Sequence, residues 1–225
     1  GSSGAPNRQG FDHWYGYMCQ REAHNYYPTH LWRNGQRVDL SGNPHFRAHQ
    51  RLPEDADPLD PESYRRYAGE TYAMDAMVDE AIAFLRENAD EPFFLYLPFP
   101  VPHVALQVPD ESVAGYEGEF PETPYVGERG YLPHRTPRAA YAAMISYLDA
   151  QLGELVSTLK ALGLYENTLI LFTADHGDMM GDHHMWRKCR PYEGSVNIPM
   201  IIRWPESLSP GVQRGQMRDE LVELR

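Results

Sequence analysis

Residues 168 to 177 read TLILFTADHG, and this stretch decides the fold class. Its first six residues, Thr168–Thr173, form a short and almost continuous apolar run, which is typical of a strand buried on both faces of a sheet. Polar residues suited to chemistry follow at once, from Asp175 to Asp178. In open α/β sheets, ligands bind beyond the carboxyl ends of the strands. The stretch therefore predicts a central strand with a functional site beside it.

Two further apolar runs predict two more strands, at Phe93–Leu97 and Ile198–Arg203. Elsewhere, apolar residues recur at three- and four-residue steps, which predicts helices over Ser63–Asn88 and from Thr136 onward. Thr136 suits the N-cap of the second helix, and Gly163 suits its C-terminal stop. Strands that alternate with helices predict an α/β fold, in which all three strands share one mostly parallel sheet flanked by helices.

The composition is that of a globular protein with an acidic surface. The 225 residues include 32 acidic and 20 basic side chains, which gives a net charge of −12, and 42% of the residues are hydrophobic. This charge disfavours nucleic acid and anionic lipid as partners. No apolar stretch approaches the roughly 20 residues that span a bilayer. The only cysteines, Cys19 and Cys189, exclude a disulfide framework.

The first sixty residues are irregular and rich in aromatic and histidine side chains, among them Trp14, His24 and Tyr26. Aromatic side chains at this density either pack a loop onto the body of a protein or line a binding cleft. We interpret them as packing residues.

The turn after the central strand is a candidate metal site. Asp175 and His176 place a carboxylate and an imidazole side by side, where both can bind one cation. The alternative is a solvated turn in which Gly177 supplies a left-handed backbone conformation. His183 and His184 follow closely, and we interpret them as solvated loop residues or as hydrogen-bond partners of the site.

Two more side chains are candidates for binding an anionic substrate. His103 follows the predicted strand Phe93–Leu97 and should face the same crevice. Lys188 lies between Arg187 and Arg190, and such a cationic cluster suits an anionic group. The alternatives are a structural histidine and an ordinary charged surface loop. The sequence holds no G-x-S-x-G elbow and offers no evident nucleophile. It also lacks a phosphate-binding P-loop and a zinc-ligand motif.

The segment Thr173–Pro205 closely resembles the second metal-binding segment of sulfatases in the alkaline-phosphatase-like superfamily. Pro102-His103 resembles the Pro-His element that follows a strand in that family. The stretch Gly10–Gly35 looks like the segment that follows the first catalytic half of the sulfatases. The resemblance implies an alkaline-phosphatase-like fold and a sulfuric ester hydrolase of the arylsulfatase kind.

Transferred by position, the resemblance implies a role for each candidate residue. Asp175 and His176 would be metal ligands for a divalent cation, usually calcium in this family. His103 would contact the sulfate ester and help to protonate the leaving oxygen, and Lys188 would bind the sulfate oxygens. The substrate would be a sulfated small molecule or glycan. Because imidazole is a more natural ligand for zinc or manganese than for calcium, the residues leave the cation open.

The sequence departs from the family pattern in one decisive respect. The family's nucleophile is a formylglycine made from the Cys or Ser of a C/S-x-P-x-R motif, and neither Cys19 nor Cys189 lies in such a motif. The resemblance therefore implies that residues 1–225 are part of one sulfatase-like catalytic domain, incomplete at both ends. The nucleophile segment and a small C-terminal domain would lie outside the chain, which alone would be inactive. A periplasmic or extracellular location is implied by the family only.

Two other functions remain open from the sequence. A phosphodiesterase or phosphonate-ester hydrolase of the same superfamily shares the Asp-His-Gly turn. A non-catalytic module that binds carbohydrate or anions could use the aromatic N-terminal region and the cluster around Lys188. The sequence does not indicate an oligomeric state.

Overall fold

The computed structural model describes residues 3–103, 105–127 and 130–205. Its helices are α1 (Ala73–Glu87), α2 (Asp110–Ala114), α3 (Pro137–Ala161) and α4 (Glu193–Val196). Its strands are β1 (Tyr15–Gly16), β2 (His30–Arg33), β3 (Gln36–Asp39), β4 (Ile170–Thr173) and β5 (Met200–Arg203). Helices and sheets combine as an α/β protein. Of the helices in these ranges, none is both long and apolar enough to cross a membrane.

Helix α3 begins where the sequence predicts, although a different side chain caps it. Thr136 is the N-cap and Pro137 the first helical residue, but the Thr136 hydroxyl makes no capping bond. Instead, the Glu122 carboxylate accepts hydrogen bonds from the backbone amides of Arg138 (3.2 Å) and Ala139 (2.7 Å). An acidic group at this end also interacts favourably with the helix dipole.

The predicted stop of α3 is confirmed. Gly163 adopts a left-handed conformation with φ of 71°. Its amide donates to the Lys160 carbonyl (3.1 Å), and the amide of Leu164 donates to the Leu159 carbonyl (2.9 Å). These two bonds form a Schellman motif, which pairs carbonyls that the end of the helix would otherwise leave unsatisfied.

The helix predicted over Ser63–Asn88 is two helices. A 3₁₀ helix at Pro61–Tyr67 precedes α1, and five residues separate them. In this interval a Cβ at Gly69 would lie 2.3 Å from the Asn43 side chain. The same Asn43 side chain pairs with both the amide and the carbonyl of Thr71. A tertiary contact therefore interrupts an apolar pattern that reads as continuous.

The described strands pair antiparallel throughout, contrary to the predicted single sheet of mostly parallel strands. Strands β1, β2 and β3 form one sheet, and β4 and β5 form another. The predicted strand Ile198–Arg203 is shortened to Met200–Arg203, and Thr173 pairs with Met200. Parallel pairing needs a crossover, usually a helix. The link between β4 and β5 is long, but its helices are only the 3₁₀ helix Asp182–His184 and the four-residue α4, and β5 returns beside β4.

The segment Phe93–Leu97 is extended but is not a strand in the structure. Phe93, Leu95 and Leu97 pack against the apolar cluster between the C-terminal halves of α1 and α3. Phe94 and Tyr96 point the other way and are 75% and 65% exposed. Burial on both faces was therefore the wrong prediction. Since no described strand pairs with the segment, it contributes to the core through one face only.

The main core lies between the N-terminal halves of α1 and α3, and it includes aromatic residues from the first sixty. Tyr26 is fully buried in this core. Its hydroxyl donates to the Pro100 carbonyl (2.9 Å), and its amide donates to the Gln107 side chain (2.7 Å). The aromatic N-terminal region thus packs onto the body, as predicted, and ties it to the loop that carries His103.

Candidate active site

The structure brings His103 and Lys188 into direct contact, although 85 residues separate them in sequence. Lys188 Nζ lies 2.8 Å from His103 Nε2. His103 lies in a turn in which its amide donates to the Pro100 carbonyl (3.2 Å). Lys188 lies in the long connection after β4. The two candidates for binding an anionic substrate therefore lie together in the structure.

The His103 imidazole is neutral at ordinary pH. Burial, and then the nearby Lys188 cation, lower the pKa of His103 to about 3. A neutral ring accepts at Nε2, so the Lys188 ammonium is the donor in this contact. The other ring nitrogen, Nδ1, is buried and has no hydrogen-bond partner among the described residues. The pair thus presents one cation and one neutral base as a unit.

Asp175 and His176 lie just beyond β4 and next to the His103–Lys188 pair. The His176 ring centroid is 5.9 Å from that of His103. His176 Nδ1 lies 2.8 Å from the Gly177 carbonyl and donates to it. The other ring nitrogen, Nε2, lies 3.6 Å from Asp175 Oδ2, and the Asp175 side chain is 90% exposed. A metal-binding histidine is typically oriented in this way.

The two donors are suited to a cation but do not complete a site. Within the ranges that the structure describes, no group of three or more His, Cys, Asp or Glu side chains is arranged to hold a metal ion. A hard cation such as calcium takes six to eight oxygen ligands. Asp175 and His176 can therefore supply only part of a coordination shell.

Gly177 is required for a close backbone approach and not for a left-handed conformation. It is absent from the residues with positive φ. Its amide donates to the Ser195 carbonyl (3.0 Å). A Cβ at this position would lie 2.2 Å from the Gly194 carbonyl oxygen. The turn that carries Asp175 and His176 therefore lies directly against α4, and the expectation of a left-handed conformation at Gly177 is wrong.

Asp178 closes the loop that presents Lys188. Its Oδ1 accepts hydrogen bonds from the amides of Met180 (2.9 Å) and Arg187 (3.1 Å). Burial raises the pKa of Asp178, and these two bonds oppose the rise. Met179 also donates its amide to the Arg187 carbonyl (3.0 Å). The carboxylate thus fixes the residue just before Lys188.

The remaining members of the predicted clusters are exposed or contact other side chains. His183 and His184 are exposed, and the His183 ring stacks on Tyr192 with centroids 4.5 Å apart. The Arg187 guanidinium lies over the Tyr131 ring, 3.8 Å from its centroid. Of the three clustered cations, Lys188 alone contacts His103 through a hydrogen bond among the bonds described.

Three residues of the site carry no motif by which the sequence could reveal them. The His24 ring stacks on His103 with centroids 4.8 Å apart and planes 11° from parallel. His24 Nδ1 lies 2.6 Å from His49 Nε2, and the Tyr131 ring lies within 5.2 Å of all three imidazoles. Burial, followed by the charge of His49, lowers the pKa of His24 to about 4. For His24 and His49, the only signal in the sequence was the density of aromatic and histidine residues among the first sixty.

The structure thus places a contacting lysine–histidine pair beside a turn that carries one carboxylate and one imidazole. Residues 2–224 match the family model described as Sulfatase, and the chain belongs to that family. An arylsulfatase of Clostridium perfringens (strain 13 / Type A) is 35% identical over 170 residues, which cover 66% of this chain and 35% of that protein. The chain thus spans about a third of the length of this relative.

Two solved structures share the fold. The crystal structure of Ps i-CgsB in complex with k-i-k-neocarrahexaose has a TM-score of 0.60 and 24% identity, and the match covers 91% of this chain and 42% of that one. The phosphonate monoester hydrolase SpPMH from Silicibacter pomeroyi has a TM-score of 0.52 and 25% identity, over 84% of this chain and 39% of that one. These likenesses confirm the alkaline-phosphatase-like fold of the sulfatases.

Proposed function

We propose that the whole protein hydrolyses a sulfate ester, and that residues 1–225 form part of its catalytic domain. The observation that carries this proposal is the 2.8 Å contact between Lys188 and His103, next to the Asp175–His176 pair. Cleavage of a sulfate ester develops negative charge on the sulfate and the leaving oxygen, so a fixed cation and a proton donor at one place suit it.

Lys188 binds the sulfate oxygens and stabilises the charge that develops on them. Because His103 is neutral and buried, the proton available to the leaving oxygen is an N–H of the Lys188 ammonium, and His103 holds that group in place. The His103 imidazole can share this Lys188 proton as the leaving oxygen approaches. The pair therefore holds one transferable proton, and both residues contact the substrate.

Asp175 and His176 would hold a divalent cation, which we propose to be calcium. When bound, the cation supplies a positive charge that polarises the sulfate group. The exposed Asp175 carboxylate and the Nε2 of His176, whose Nδ1 is held by the Gly177 carbonyl, fit such a role. The remaining ligands would come from outside the described residues. The nucleophile, expected to be a formylglycine, would also come from elsewhere, because residues 1–225 contain no C/S-x-P-x-R motif.

The substrate would be a sulfated small molecule or a sulfated glycan. The arylsulfatase of Clostridium perfringens supports an aryl sulfate as the first compound to assay. The test is hydrolysis of an activated aryl sulfate by the full-length protein, with calcium and after its removal by a chelator. We expect turnover that depends on the cation, whereas residues 1–225 alone should show none.

Substitution of Lys188 tests the assignment directly. Lys188→Ala should lower kcat by about 10²- to 10³-fold, the typical cost of one preorganised charge-stabilising contact. The matched control is Lys160→Ala, which removes an exposed lysine near the end of α3 and should leave kcat unchanged. Asp175→Asn should weaken cation binding, and excess calcium should restore part of the activity. Wild-type turnover in Lys188→Ala would contradict the proposal.

A second candidate is hydrolysis of a phosphonate monoester or a phosphodiester. The similarity to the phosphonate monoester hydrolase SpPMH favours it specifically. Comparing kcat/KM for an aryl sulfate with that for the matching aryl phosphonate separates the two activities.

A third outcome is a non-catalytic module that binds anions. The full-length protein would then hydrolyse none of these esters but would bind a sulfated glycan, and Lys188→Ala would abolish that binding.

A further inference from the structure

We infer that His24 is a positioning residue for His103, and that it acts by stacking and not by contact with the substrate. The inference rests on the proposed function, since it concerns how that site is held. His24 lies in a short 3₁₀ helix, Glu22–His24, 79 positions before His103 along the chain. The proposed chemistry gives His24 no role, yet the His24 ring lies flat against the ring of His103.

Hydrogen bonding alone does not fix the His103 ring. Catalytic and metal-binding histidines are usually oriented by a hydrogen bond at the nitrogen that does not react. In His103 that nitrogen, Nδ1, is buried and lacks a partner among the described residues. The one described hydrogen bond to this ring runs from Lys188 Nζ to Nε2. This bond alone lets the ring rotate about the line that joins the two nitrogens. Another contact has to define the plane of the ring.

His24 supplies this contact. Its ring plane is 11° from that of His103 at a centroid distance of 4.8 Å, which is the geometry of a stacked pair. The Tyr131 ring, 5.2 Å away and tilted by 41°, closes a second side. The Tyr131 ring also lies 4.8 Å from the His24 ring, so the three rings contact one another, while His103 Nε2 lies against Lys188.

His24 is itself held by the body of the protein. Its Nδ1 is 2.6 Å from His49 Nε2, so one neutral imidazole donates to the other. Two residues further on, the fully buried Tyr26 donates its hydroxyl to the Pro100 carbonyl. The same carbonyl accepts the amide of His103. One backbone oxygen therefore joins the segment of His24 to the turn of His103.

The test compares three substitutions of His24 in the full-length protein. His24→Ala and His24→Asn remove the ring, whereas His24→Phe keeps a flat ring without nitrogen. We expect the first two to lower kcat by about 10- to 100-fold with little change in KM, as a misplacement of about 1 Å can do. His24→Phe should restore most of kcat. His45→Ala, at an exposed histidine, is the control and should behave as wild type.

A measurement independent of activity accompanies the kinetics. In His24→Ala, the NMR signals of the His103 ring should broaden or split, because the ring samples more than one orientation. Thermal unfolding of each variant shows whether it is folded. A single sharp His103 signal at its wild-type position would overturn the inference, even if the protein hydrolysed no sulfate ester. A wild-type kcat in His24→Ala would also overturn it, as would a higher kcat in His24→Asn than in His24→Phe. The same holds if the substitutions change KM and leave kcat unchanged.

Discussion

At the scale of single residues, the Asp175-His176-Gly177 turn shows how three adjacent residues meet three different physical demands. Asp175 stays exposed, and its carboxylate is free for a cation. His176 donates from Nδ1 to a backbone carbonyl, so Nε2 is the ring nitrogen that faces Asp175. Gly177 allows the turn to lie against Gly194. The arrangement of Asp175 and His176 thus depends on a neighbour that has no side chain.

We expect Gly177→Ala to destabilise the protein and to lower its activity. The added Cβ would lie 2.2 Å from the Gly194 carbonyl oxygen, so the two backbones must separate and the bond from Gly177 to Ser195 must lengthen. Overpacking of this kind typically costs about 1–3 kcal/mol. Urea unfolding and turnover of the full-length variant check the prediction.

Gly153→Ala is the matched control. Gly153 lies within α3, and a Cβ there would meet nothing within 4 Å. Alanine is favoured over glycine in a helix by about 1 kcal/mol, so this variant should be slightly more stable than wild type. Equal stability of the two variants would contradict the role given to Gly177.

Some residues of the site could be predicted from the sequence, and others could not. His103, Asp175 and His176 follow apolar runs, and the end of such a run predicts where a side chain emerges. His24 and His49 follow no run, and the contact between their rings depends on the folded path of the N-terminal region. Predicting them would have required the three-dimensional arrangement itself.

At the scale of elements, a polar contact joins the two long helices. Asp75 on α1 accepts hydrogen bonds from the Tyr147 hydroxyl (2.9 Å) and the Gln151 amide (2.6 Å), both on α3. Burial raises the pKa of Asp75, and these two bonds oppose the rise. Gln151 is buried, so its amide depends on this partner.

We expect Asp75→Ala to lower the free energy of unfolding by about 1–3 kcal/mol, because it leaves a buried amide donor without an acceptor. Asp79→Ala, one turn further along α1 at an exposed position, is the control and should change stability little. Urea unfolding of both variants provides the measurement. If Asp79→Ala were as costly, the effect would come from helix charge and not from the contact.

Element boundaries were predictable where local chemistry determines them. The limits of α3 follow from Pro137 and Gly163, which act within one turn of the helix, although Glu122 supplies the cap from a distant part of the chain. Pairing of strands is different, since it depends on segments distant in sequence. The apolar run Phe93–Leu97 reads as a strand, but hydrogen bonding to a neighbour decides whether it becomes one.

At the scale of the whole molecule, stability should depend on pH through His134. Burial is the main cause that lowers the pKa of His134 to about 4, from an ordinary value of 6.5. Between these values the unfolded chain binds a proton that the folded protein does not. The free energy of unfolding should therefore be highest above pH 6.5 and fall towards pH 4, by at most about 1.4 kcal/mol per pH unit for this group.

The comparison of His134→Gln with wild type isolates this contribution. His134 Nδ1 accepts the amide of Thr136 (3.1 Å), and the glutamine carbonyl can accept in its place without titrating. Urea unfolding across the window should show a shallower pH dependence in this variant. His45→Gln, at an exposed position, should keep the wild-type slope. A variant slope equal to that of wild type would assign the dependence to other groups.

The outward faces of β4, β5 and the extended segment before His103 carry large apolar side chains that remain exposed. They include Phe94, Tyr96, Leu171 and Ile201. Apolar side chains exposed together on adjacent segments favour association. In colloidal terms, the exposed apolar faces of two copies of this chain attract each other. The net charge of −12 opposes this attraction, but the repulsion acts only over a Debye length, about 8 Å in physiological salt. Added salt should therefore promote self-association of the isolated chain, and chaperones that bind exposed hydrophobic surface should retain it.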